Sequence, residues 1–73
     1  MEQSNLAKNL STLRRASGLS QEKAAEAVGV TRQALAKWES GETTPDVLHS
    51  DKLAELYGVS LDDLAGRSKG ANV

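Results

Sequence analysis

The chain has 73 residues, nine basic and ten acidic side chains, a formal net charge of −1 and no cysteine. That length supports one domain and leaves little room for a two-lobed catalytic cleft. The missing cysteines exclude disulfides, cysteine-ligated zinc and thiol chemistry, and suit a reducing compartment.

The core palette is ten Leu and ten Ala against five Val, one Trp, one Tyr and neither Ile nor Phe. Leu and Ala favour helix, whereas a sheet needs β-branched and aromatic residues, so the expected class is all-α. In chain order, Ser4 is placed to cap a first helix whose Leu6, Leu10 and Leu13 form one apolar stripe, with Arg14 and Arg15 in its last turn and Gly18 ending it. Ser20 caps a short second helix over 21–28, which Gly29 stops. Thr31 caps a third helix running to about Ser40, and Gly41 closes it. A loop over 41–44 follows, with Pro45 expected at the first position of a fourth helix that ends at Gly58. Ser60, with Asp63 three residues on, resembles a capping box for a fifth helix ending at Gly66. The expected organisation is a single domain over 1–66, with a flexible tail over 67–73. The longest apolar run is Ala34-Leu35-Ala36, too short for a membrane span or a signal-peptide core.

Helical projection sharpens the second and third helices. Ala24, Ala25 and Val28 share one narrow arc, as do Ala34, Leu35 and Trp38, which assigns Trp38 to the core. Arg32, Gln33, Ala36 and Lys37 fall on the opposite face of the third helix. A helix, a Gly-containing turn and a second helix with a polar outer face form a helix-turn-helix pattern over 20–40. Such a face matches the major groove: Arg pairs with guanine, Gln with adenine, Ala meets the thymine methyl, and Lys takes phosphate or guanine.

The segments Leu19-Ser20-Gln21-Glu22 through Ala25, Gly29-Val30-Thr31, Trp38-Glu39-Ser40-Gly41, Pro45 and Tyr57-Gly58-Val59-Ser60-Leu61 closely resemble the Cro/repressor-type (XRE-like) helix-turn-helix family. The resemblance covers about residues 6 to 65. It implies a compact five-helix, lambda-repressor-like bundle acting as a sequence-specific, double-stranded-DNA-binding transcriptional regulator, repressor-like and non-enzymatic. It also implies a homodimer on a two-fold operator, in the cytoplasm of a bacterium or encoded by a phage. By the same resemblance Gln21 contacts a phosphate and braces the third helix, and Thr31, Arg32, Gln33 and Lys37 occupy the recognition positions. Ser40, Thr43 and Thr44 belong to the loop that holds flanking phosphates, and Arg14 pairs with Glu39. The chain departs from the family at Ser50 and Asp51, where two apolar residues are usual. That leaves Val47, Leu48, Leu53, Leu56 and Tyr57 as the apolar set, with either an irregular helix start or packing through Leu48.

Charge partition removes the objection that the near-neutral total raises. Residues 8–41 hold six cations and three anions, a local +3, and the remainder holds three cations and seven anions, a local −4. An acidic far side is screened from DNA over about 8–10 Å. His49 has no second ligand at metal spacing and reads as structural or solvent-facing, and no general base accompanies a nucleophile. Asp62 and Asp63 complement a helix dipole, and no cofactor, metal or small-molecule ligand is expected. A reading from another class is a protein-interaction module on the same scaffold, antitoxin-like or anti-regulator, with weak or no DNA binding. An exposed apolar face away from the third helix would favour it, with Leu48, Leu61 and Leu64 as candidates; the same residues could form a homodimer seam.

Overall fold

The computed structural model describes residues 5–66, and within them the chain forms α1 (Asn5–Ala16), α2 (Gln21–Val28), α3 (Arg32–Ser40), α4 (Val47–Tyr57) and α5 (Leu61–Ala65). The expected cap at Ser4 and the expected tail over 67–73 lie outside the described residues. Each of α2 to α5 starts where a side-chain oxygen accepts an orphan backbone N–H. Ser20 takes that of Lys23, Thr31 that of Ala34, Asp46 that of His49 and Ser60 that of Asp63. Each also ends on a glycine in the left-handed region, where its N–H closes the last turn; the tight corner between α2 and α3 uses Gly29 at φ 87°.

The helices pack α1 on α3 and α5, α2 on α3 and α4, and α4 on α5. Leu10, Leu35, Leu53 and Leu64 are fully buried at the centre, with Ala24, Ala25, Val28, Trp38 and Ala54 around them. Burying each such Leu contributes about 1.5–3 kcal/mol. Ala24 and Ala25 leave no bulk between α2 and its neighbours, which lets a helix of eight residues sit directly on the core. At the far end, the Asn9 amide makes long hydrogen bonds to the carbonyls of Asp63 and Leu64, at 3.4 and 3.3 Å. Gly66 follows so closely that a Cβ there would lie 2.8 Å from Cβ of Asn5.

Three expectations change. Pro45 is buried but precedes the fourth helix rather than opening it, because Asp46 takes the cap position and accepts from the His49 N–H. The start of α4 is regular, and Leu48 does not pack inward: Val47 and Leu48 are 78% and 72% exposed. Leu64 is 1% exposed and belongs to the core, so it leaves the candidate apolar surface, whereas Leu61 remains on it at 45%.

Candidate nucleic-acid interface

The geometry of α3 follows from its two sides. Its inner side carries Leu35 and Trp38, both in the core, and Ala34 half-buried beside them. Its outer side carries Arg32, Gln33 and Lys37, all exposed, with Ala36 half-buried between them. Thr31 stands exposed at the N-terminus, its Oγ1 accepting from the Ala34 N–H at 3.1 Å. The structure therefore brings Thr31, Arg32, Gln33 and Lys37 to one accessible face, with Ala36 set slightly back.

Glu39 fixes how that face is presented. It is 7% exposed, a carboxylate inside an apolar cluster, and such a charge must be paired. Arg14 supplies a forked pair of donors from α1: Nε to Oε2 at 2.8 Å and Nη2 to Oε1 at 3.3 Å. Nη1 of Arg14 also donates to the Leu19 carbonyl at 2.8 Å, which ties in the link before α2. Nε2 of Gln21, at the first position of α2, donates to Oε1 of Glu39 at 3.1 Å. One carboxylate thus joins α1, α2 and the end of α3. The paired carboxylate raises the pKa of Arg14, so the guanidinium stays charged. The Arg14–Glu39 tie implied by resemblance is present. Spacing alone could not have found it, because 25 residues separate the partners.

The turn after α3 is stitched to it. The Lys37 carbonyl accepts the backbone N–H groups of Glu42 and Thr43 at 3.0 and 3.3 Å. Ser40 Oγ donates to the same carbonyl at 3.0 Å and accepts from the Glu42 N–H at 3.3 Å. Ser40, Thr43 and Thr44 are exposed. The Ser40 hydroxyl and the Thr43 amide are engaged locally, whereas the exposed Thr43 and Thr44 side chains add further hydroxyls to this loop. Behind it, the His49 ring lies 5.5 Å from that of Trp38 and pairs with Asp46 at 2.5 Å, which makes His49 a structural residue beside α3.

Tyr57 is expected in the apolar set of the fourth helix, but the state of its hydroxyl is not signalled by the sequence. Its hydroxyl is buried without a hydrogen-bond partner among the described residues, and its pKa is pushed up to about 12, first by burial and then by Glu39, with Arg14 opposing.

Charge completes the site. Arg14 and Glu39 neutralise each other internally, so the local +3 of residues 8–41 is carried by exposed side chains: Lys8, Arg15, Lys23, Arg32 and Lys37 against Glu22 and Glu26. Among the described residues, no group of acidic, His or Cys side chains could hold a metal ion, and no helix is long and apolar enough to cross a membrane.

Comparison with known proteins gives the context of this arrangement. The helix-turn-helix family model matches residues 10–64. The chain is 40% identical over 55 residues to the uncharacterized SPbeta prophage-derived HTH-type transcriptional regulator YonR of Bacillus subtilis (strain 168), covering 75% of this chain and 51% of that protein. Among solved structures it resembles a transcriptional regulator from Listeria innocua, with TM-score 0.82 and 35% identity over 93% of this chain and 64% of that one. It also resembles the restriction-modification controller protein C.AhdI from Aeromonas hydrophila, with TM-score 0.77 and 30% identity over 84% of this chain and 92% of that one. The chain thus spans about half the length of the prophage regulator but nearly all of the controller protein.

Proposed function

Because this chain belongs to the Cro/repressor-type helix-turn-helix family, we propose that it is a sequence-specific, double-stranded-DNA-binding transcriptional regulator that inserts α3 into the major groove. The observation that carries this reading is the two-sidedness of α3: a core-facing side locked by Arg14, Gln21 and Glu39, and an exposed side of Arg32, Gln33 and Lys37. A groove about 12 Å wide admits a helix presented this way. Arg32 and Gln33 are assigned to base edges and Lys37 to phosphate or guanine, while Ala36 lines the floor against a thymine methyl. Thr31, Gln21, Ser40, Thr43 and Thr44 flank the backbone on both sides; Gln21 holds Glu39 with one amide hydrogen and has a second for a phosphate.

The regulator acts as a repressor-like, non-enzymatic homodimer in the bacterial cytoplasm, with two copies of α3 about 34 Å apart on one face of the duplex. Exposed Val47, Leu48 and Leu61 supply apolar surface for a second copy. The same three side chains are what would favour a protein-interaction module in place of a DNA reader.

Site selection from randomised duplexes tests the assignment. An enriched motif with two half-sites one helical turn apart supports it, together with affinity that falls steeply with salt. Gln33→Ala relaxes preference at one base pair per half-site, by about 1–3 kcal/mol. The absence of any enriched duplex at low salt sinks the reading, and light scattering then asks whether the chain captures a protein.

A further inference from the structure

The loop after α3 carries an anion where phosphate donors are expected, and its backbone position is fixed. On the helical projection Ser40 falls on the same side as Arg32, Gln33, Ala36 and Lys37. The Glu42 N–H donates both to Ser40 Oγ and to the Lys37 carbonyl, which folds the loop over the C-terminal end of that face. The Glu42 side chain is exposed, and the ion pairs among the described residues, Arg14–Glu39 and His49–Asp46, do not involve it. Its neighbours Thr43 and Thr44 are exposed neutral hydroxyls.

We propose that Glu42 is an affinity-limiting residue: an unpaired carboxylate held against the DNA phosphates, which weakens binding to every sequence alike. The proposal rests on the major-groove reading of α3. In that docking the N-terminal residues of the reading helix meet base edges, so its C-terminal end and the following turn lie at the groove rim, beside the sugar-phosphate backbone. Phosphate contacts carry no sequence information. A repulsive charge placed among them lowers specific and non-specific affinity together, and leaves base preference to Arg32 and Gln33. Such a residue shortens residence on DNA without changing the site that is read.

The test is fluorescence anisotropy of the wild-type chain, Glu42→Gln and Glu42→Lys on the selected duplex and on a scrambled one, at about 50 and 200 mM salt. Thermal unfolding of each variant serves as the folding control; the exposed, unpaired side chain predicts an unchanged midpoint. At the lower salt Glu42→Gln tightens binding about threefold and Glu42→Lys about tenfold on both duplexes, and the gain shrinks at the higher salt. Glu42→Lys also steepens the salt dependence by about one phosphate contact. Unchanged or weaker binding overturns the proposal, as does a change confined to the selected duplex, which would make Glu42 a base reader. A wild-type chain that binds no duplex overturns the major-groove reading itself, whereas wild-type binding with an inert Glu42→Gln overturns the role of Glu42 alone.

Discussion

Helices α3 and α4 begin and end alike, yet they are held in place differently. Each starts at a side-chain cap, Thr31 or Asp46, and each ends at a left-handed glycine, Gly41 or Gly58. The last turn of α3 is fixed by partners from α1 and α2 that converge on Glu39. The start of α4 is held by bonds among Pro45, Asp46, His49 and Ser50, and its first two residues, Val47 and Leu48, face solvent. Local caps therefore decide where a helix starts, while distant side chains decide how firmly its outer face is aimed. The aimed helix is the one with a polar, groove-compatible face.

The largest effect should come from breaking the aim of α3. Glu39→Ala leaves the Arg14 guanidinium without its carboxylate in a site where its side chain is 13% exposed. Removing one partner of a buried pair costs about 3–5 kcal/mol. Chemical denaturation should report that loss, and an Arg14→Ala/Glu39→Ala double variant should lose less than the two single variants together. A loss for Glu39→Ala below about 1 kcal/mol would show that core packing alone holds α3.

Next in size is Tyr57, whose hydroxyl sits buried near the same pair without a partner among the described residues. Tyr57→Phe removes an unsatisfied buried donor and should stabilise the fold by about 1 kcal/mol. Its alkaline behaviour gives a second readout. The folded pKa of about 12 lies above the ordinary value of 10.0, so the folded state holds the phenolic proton more tightly. The stability linked to that proton is fully present below pH 10 and is lost as the pH rises towards 12. Thermal melts over that window should show a decline in wild type that is smaller in Tyr57→Phe. Equal declines would mean that the hydroxyl is solvated, and that the end of α4 is no more tightly packed than its start.

The same contrast explains which parts were legible from residue order. Ser20 with Gly29, Thr31 with Gly41 and Ser60 with Gly66 bracket α2, α3 and α5 as expected, because a cap is a contact over three residues. Pro45 is expected to open the fourth helix, which instead starts two residues later at Val47: a proline suits the first helical turn, but the aspartate after it is the stronger cap. The outer face of α3 followed from its 3.6-residue period, which needs no knowledge of neighbours. Leu48 and Leu64 could not be ranked that way, since both lie on short amphipathic segments and only the packing of α5 on α1 and α4 buries Leu64. The Arg14–Glu39 tie came from family resemblance, and nothing local marked the Tyr57 hydroxyl as buried and unsatisfied. Both depend on contacts that chain order does not encode.

A smaller effect tests the local clasp on α4. The Asp46 carboxylate has its pKa lowered first by the His49 backbone N–H and then by the His49 ring. With the folded pKa below the unfolded one, its contribution is present above the unfolded value near 4 and is lost as the pH falls through the lowered folded value. Asn caps a helix about as well as Asp, so Asp46→Asn should change little at neutral pH. Its melting temperature should then fall less than that of wild type as the pH is lowered below about 4. Parallel acid profiles would show that Asp46 adds only its geometry as a cap.

The smallest expected effect bears most directly on α4. Val47 and Leu48 are apolar, but they bury little of their surface in the folded chain. Area removed from water, and not residue type, sets the hydrophobic contribution. The paired substitution Val47→Ser/Leu48→Ser should therefore shift the unfolding free energy of the monomer by no more than about 0.5 kcal/mol, the ordinary range for surface positions. Dilute samples should be used, so that any self-association through this face is suppressed while the monomer is measured. At higher concentration, light scattering should give a lower average mass for the variant than for wild type if a second copy covers these side chains. A loss of several degrees in dilute melts would place Leu48 in the monomer core, and the difference in how α3 and α4 are held would disappear.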